Sequence, residues 1–176
     1  MTAIPVPNAD EARDNASYEA LMWALARPGE VQRLPEPGLR PVALALVDIE
    51  TSVFADDPAL APSIVRTGAR LAGAEVADYL FVADDPVAAV TAAQTGTGLN
   101  PETGATVAIL TTLSGGPRLR LTGPGIDGAA VITPALPAEF WAIRDRRVAY
   151  PLGFDLFIVE GDRVIGLPRS VTVEVL

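Results

Sequence analysis

Residues 154–175 read FDLFIVEGDRVIGLPRSVTVEV, and this stretch decides the fold. The run Leu156 to Val159 is apolar at every position, too apolar for a surface strand. Phe154 to Val159 and Arg163 to Ile165 flank Glu160-Gly161-Asp162, a hairpin signal because glycine tolerates the positive φ of a tight turn. Ser170 to Val175 then alternates as Val171, Val173 and Val175, the period of a strand.

Upstream, strands interleave with helices. Apolar residues at Tyr18, Leu21, Met22 and Leu25 predict an amphipathic helix from Ser17, stopped by Pro28-Gly29. Further helices are expected over Val42 to Asp48, Pro62 to Ala72, Asp85 to Gln94 (aspartate cap, proline in the first turn) and Pro137 to Val148. Strands are expected at Val31 to Leu34, Thr51 to Ala55, Tyr79 to Ala83, Ala105 to Leu113, Leu119 to Thr122 and Ala129 to Ile132. Helices alternating with strands, followed by a β-rich end, predict one α/β domain over residues 1–176, a layered mixed sheet with flanking helices. Residues 1–14 are expected to form a poorly ordered or extended arm.

Composition bounds the chemistry. The chain of 176 residues has no histidine and no cysteine, and all 13 basic residues are arginine. It therefore lacks a thiol nucleophile, an imidazole base and a lysine for Schiff-base chemistry. Zinc sites of the Cys/His type are excluded, leaving carboxylates, carbonyls and water for any metal. Arginine orients anions but is a poor proton shuttle. A chain this long buries about 70% of its unfolded surface, ample for one core. The N-terminal stretch lacks a basic and apolar leader, and no apolar run is long enough to span a bilayer, so a soluble cytoplasmic protein is expected.

The net charge of −9 argues against nucleic acid as a partner. Residues 1–117 carry 6 arginines against 15 acids, whereas residues 118–176 carry 7 of each. An anionic ligand meets least repulsion in the C-terminal third. Alternatively, those arginines cover a neutral surface.

Several constellations have two readings. GTGLNPETG (Gly96 to Gly104) lacks the third glycine of a dinucleotide fingerprint and follows a helix, which favours a structured loop. LTGPGI (Leu121 to Ile126) is either a sharp strand exit or an anion-binding nest. Asp155 precedes the apolar run and must lie at the sheet's end or be paired, because an unpaired buried carboxylate is costly. Arg169 lies just past the partner strand, so the two form a structural salt bridge or share a ligand or subunit contact. Arg144 and Arg147, three apart on one helix, form a solvated face or an anion-facing pair.

MWALARPGEV (Met22 to Val31), GTGLNPETGATV (Gly96 to Val107), LTGPGI, YPLGFDL (Tyr150 to Leu156) and GLPRSVTVEV (Gly166 to Val175) together resemble the PhnH family of the bacterial carbon–phosphorus lyase system. The resemblance runs in order from about residue 15 to the end. It implies an accessory subunit working with PhnG, PhnI, PhnJ and PhnL in phosphonate catabolism. In that system ATP and an alkylphosphonate give ribose 1-alkylphosphonate 5-triphosphate, and the radical-SAM protein PhnJ later cleaves the C–P bond. The resemblance also implies a fold like the large domain of PLP-dependent transferases without the PLP site, and a homodimer in isolation. It carries no catalytic residues over. A chain without lysine or cysteine holds neither a PLP aldimine nor a radical-SAM cluster, so no cofactor is expected. Candidates for ligand or interface contact are Arg27 (in MWALARPGEV), Arg144, Arg147, Asp155 and Arg169.

Overall fold

The computed structural model describes residues 8–176. In chain order its elements are α1 (Ala9–Ala26), β1 (Gln32–Arg33), α2 (Arg40–Leu46), β2 (Ser52–Ala55), α3 (Ala61–Thr67), β3 (Arg70–Leu71), β4 (Tyr79–Val82) and α4 (Pro86–Ala92). There follow β5 (Thr106–Leu110), β6 (Leu119–Thr122), β7 (Ala130–Ile132), α5 (Ala138–Arg147), β8 (Asp155–Glu160), β9 (Arg163–Leu167) and β10 (Thr172–Val175). Seven strands form one sheet in the order β1-β9-β8-β5-β4-β2-β3, and β10-β6-β7 form a second. The stretch β3-β2-β4-β5-β8 is parallel, while β9 and β1 extend it by antiparallel pairing. The small sheet is antiparallel throughout.

The expected α/β layering is present, with two sheets instead of one. Alternate residues of the central strands serve two cores, which explains runs that are apolar at every position. Leu80, Val107, Leu156 and Ile158 face α4, α5 and the small sheet. Phe81, Ala108, Phe157 and Val159 face α1, α2 and α3.

The first helix departs from expectation. It begins at Ala9, where Asn8 and Glu11 form a capping box: the Asn8 side chain accepts from the Glu11 N–H and the Glu11 carboxylate accepts from the Asn8 N–H, both at 2.9 Å. The arm expected over residues 1–14 is thus helical from Ala9, and residues 1–7 lie outside the described residues. Two backbone donors that a helix start otherwise leaves orphaned are satisfied here. Asn8→Ala is expected to cost about 1 kcal/mol, read as a shifted urea midpoint with an unchanged slope.

The face of α1 also differs. Tyr18 and Met22 are about half exposed, and the buried face is Ser17, Ala20, Leu21 and Ala24. The reason is close approach to β9. A Cβ on Gly166 would stand 2.6 Å from the Ala24 carbonyl carbon and 2.7 Å from its oxygen. Only small side chains fit such a contact, so alanines displace the bulkier stripe from the core.

The helix expected over Pro62 to Ala72 stops at Thr67. Gly68 caps it in the left-handed region (φ 85°), and Arg70–Leu71 pairs with β2 as an edge strand. The chain leaves β2 through α3 toward β3 on one side and leaves β4 through α4 toward β5 on the other. The ends of β2 and β4 therefore form the sheet's topological switch point. Asp56 sits there and accepts from the N–H groups of Ala83, Asp84 and Asp85 at 2.7, 3.0 and 3.3 Å. Asp57 is its neighbour, and Asp85 caps α4 through the Ala88 N–H.

Candidate functional site

Three of the motif stretches meet at one point. At the start of β8, Asp155 Oδ1 accepts from the Arg169 backbone N–H (2.8 Å) and Nε (3.2 Å), and Oδ2 accepts from Nη2 (2.8 Å). Arg169 Nη1 also donates to the Pro101 carbonyl at 2.8 Å, and Nη2 to the Gly104 carbonyl at 3.2 Å. The planar guanidinium fork suits this division between a carboxylate and two carbonyls. A Cβ on Gly104 would lie 2.1 Å from the Gly153 oxygen and 2.4 Å from Arg169 Nη1, so GTGLNPETG, YPLGFDL and GLPRS interlock.

Asp155 and Arg169 are thus brought together as an ion pair whose side chains are 22% and 15% exposed. The pair fastens the 96–104 loop against the starts of β5 and β8. Leu99, near the loop's tip, is 92% exposed. Gln94 and Thr95 secure the stem, accepting from the N–H groups of Ala105 and Gly153.

Next to this node lies a small cleft of about 130 Å³ lined by Arg144, Tyr150, Arg169, Ser170 and Thr172. Arg144 corrects the solvated-face reading: it is only 3% exposed. Its Nη2 donates to the carbonyls of Pro168 (3.2 Å) and Val171 (3.3 Å), and its Nε is buried with no acceptor. Burial pushes the guanidinium pKa down to about 10, against the opposing pull of Asp155 and Asp145, so it remains charged at neutral pH.

Arg147 is half-buried and donates to the Ala93 carbonyl, tying α5 to the end of α4. Arg27 stands apart at the C-terminus of α1, over the Trp23 ring at 4.7 Å and 3.8 Å from Glu30. It makes no contact with the other four candidates. LTGPGI is a strand exit packed on α1: a Cβ on Gly125 (φ 82°) would stand 2.2 Å from the Ala26 oxygen. A helix C-terminus presents partial negative charge, which makes this turn a poor anion nest.

The cleft continues into a larger groove of about 450 Å³ between α5 and β10, with Asp145, Thr172 and Val173 common to both. Ala138, Trp141 and Ala142 form the helical wall. The Trp141 indole N–H is buried and has no acceptor among the described residues. Sequence reading missed this groove. The signal available was the Ala138, Ala142, Asp145 spacing, which puts two small residues and an acid on one stripe of the helix.

Among the described residues no three acidic side chains converge as metal ligands, and both Asp155 oxygens are engaged by Arg169. No described helix is long and apolar enough to cross a membrane.

The chain matches a class of bacterial phosphonate metabolism proteins across residues 8–174. It belongs to the PhnH family. It is 34% identical over 168 residues to a protein of Stutzerimonas stutzeri named as the C-P lyase subunit HtxG, a match covering 92% of this chain and 86% of that protein. It is 30% identical over 178 residues to the alpha-D-ribose 1-methylphosphonate 5-triphosphate synthase subunit PhnH of Rhizobium meliloti (strain 1021), covering 89% and 88%. The resemblance read from the motifs is the relationship found.

Proposed function

We propose that this chain is an accessory subunit of a cytoplasmic carbon–phosphorus lyase complex. It acts with PhnG-, PhnI- and PhnL-type partners in forming ribose 1-alkylphosphonate 5-triphosphate from ATP and an alkylphosphonate, and with a PhnJ-type partner downstream. The observation that carries this reading is the family match over nearly the whole chain, joined to a side-chain repertoire without histidine, cysteine or lysine. Proton transfer and covalent catalysis then fall to the partners. The parallel sheet with helices on both faces is compatible with the expected likeness to the large domain of PLP-dependent transferases, and without lysine that likeness brings no PLP chemistry. The family resemblance also supports a homodimer in isolation.

Co-expression with the other subunits tests the reading. The chain is expected to co-elute with them on size exclusion and, purified alone, to turn over neither ATP nor phosphonate. Elution only by itself, or sustained turnover by the lone chain, overturns it.

A second reading, direct binding of phosphonate or triphosphate, draws support from Arg144, whose buried Nε lacks an acceptor beside a cleft sized for a small oxyanion. Both Asp155 oxygens are engaged by Arg169, so this reading rests on arginine and not on a magnesium ion held there. Calorimetry of the isolated chain with MgATP and methylphosphonate decides: heat lost in Arg144→Met supports this reading, and no heat at millimolar ligand removes it for the free subunit.

A further inference from the structure

The small sheet ends in an open edge. Leu176 N–H donates to the Arg118 carbonyl at 2.9 Å, and the register pairs Glu174 with Arg120 and Thr172 with Thr122. In an antiparallel ladder alternate residues bond to the same neighbour. Thr172, Glu174 and Leu176 therefore bond toward β6, and the N–H and C=O groups of Val173 and Val175 point away from it. The preceding outward carbonyl, Val171, is taken by Arg144. Beyond Arg144 the edge is unpaired among the described residues, and the 450 Å³ groove lies along it.

We infer that the α5–β10 groove receives an extended segment of another subunit, which adds as a fourth strand beside β10; this rests on the complex-subunit reading above. Four outward main-chain groups on Val173 and Val175 supply the ladder, as in strand addition to an exposed edge. Exposed Ala138 and Ala142 leave space on the helical wall for alternate side chains of the incoming strand. Trp141 adds an apolar portion to that wall, its indole N–H being itself buried.

Charge selects the occupant. Both charged residues lining the groove, Asp145 and Glu174, are acidic. Glu174 pairs with Arg120 on β6 at 3.5 Å, which leaves Asp145, without an ion pair among the described residues, as the acid open to an incoming base. The segment that fits is apolar on one face and carries a basic residue. A second copy of β10 would bring Glu174 against a like-charged strand, which disfavours self-pairing through this edge.

Hydrogen exchange and an Ala142→Arg variant test the assignment. The wild type, co-expressed with PhnG-, PhnI-, PhnJ- and PhnL-type subunits, is expected to show exchange of the Val173 and Val175 amides slowed about tenfold or more relative to the chain alone. The Glu174 amide, already bonded to β6, serves as the internal reference. Ala142 is exposed, so Ala142→Arg is expected to melt like the wild type yet be excluded from the complex. A complex that forms with both amides unprotected, or that admits Ala142→Arg unchanged, overturns the inference while leaving the subunit reading intact. If the wild type joins no complex, both fall. Protection that grows with concentration of the chain alone assigns the groove to a second copy, against the inference.

Discussion

Asp155→Ala is expected to lower the melting temperature by on the order of 10 °C. Removing one member of a largely buried pair leaves the other charge without its counterion, at a cost of about 3–5 kcal/mol. For a domain of this size each kcal/mol corresponds to about 2–4 °C. Partial exposure of both side chains puts the value toward the low end. The local effect is more diagnostic. Arg169 holds Pro101 and Gly104 only while its own orientation is fixed by Asp155. Proteolysis and amide exchange are therefore expected to accelerate across residues 96–104 before the rest of the molecule opens. Arg169→Lys restores a charge but not the fork, and is expected to recover the melting temperature only in part. A melting curve for Asp155→Ala that overlays the wild type counts against the pair as the anchor of this loop.

Gly166→Val should be at least as damaging. The added Cβ meets the backbone of Ala24 and Leu25 at 2.6–2.9 Å, and backbone cannot rotate away as a side-chain tip can. To admit valine, α1 must lift from β9, exposing Leu21 and loosening its contact with the buried Val42 and Ala43 of α2. Overpacking costs about 1–3 kcal/mol for modest insertions and more where backbone must move, so about 3 kcal/mol or more is expected, with Gly166→Ala intermediate. Chemical denaturation of both variants reads the order. A valine variant as stable as the wild type would show that α1 is not seated on β9 as described.

The two positions also show what the sequence made legible. Asp155 preceding a wholly apolar strand demanded a partner, and Arg169 stood at the right distance along the hairpin. The hairpin, the apolar core strands and the helices punctuated by proline were likewise readable, because local turn chemistry and periodicity dictate them, whereas the parallel order of the strands was not. The face of α1 was not. Tyr18 and Met22 look like core by spacing, but the sheet's glycine at 166 admits a closer, alanine-lined helix, a tertiary choice invisible to a helical wheel. The capping box was also present in the sequence, as Asn8 three residues ahead of Glu11, although residues 1–14 were expected as an arm. The position of Arg144 on a helix that ends in charge leaves both a solvated and an anion-facing role open; only packing reveals that the Pro168 and Val171 carbonyls receive it. For the groove beside β10 the sequence offered only the helical wall, in the Ala138, Ala142, Asp145 spacing; that β10 forms the other wall is a tertiary fact.

Where β2 and β4 diverge, nucleotide-handling sheets of this kind commonly seat a phosphate on a ring of amide hydrogens. In this molecule the Asp56 carboxylate already occupies those amides, with Asp57, Asp84 and Asp85 around it. The protein carries its own anion in the berth. A polyphosphate drifting toward that end meets a repulsive field that salt weakens but does not reverse.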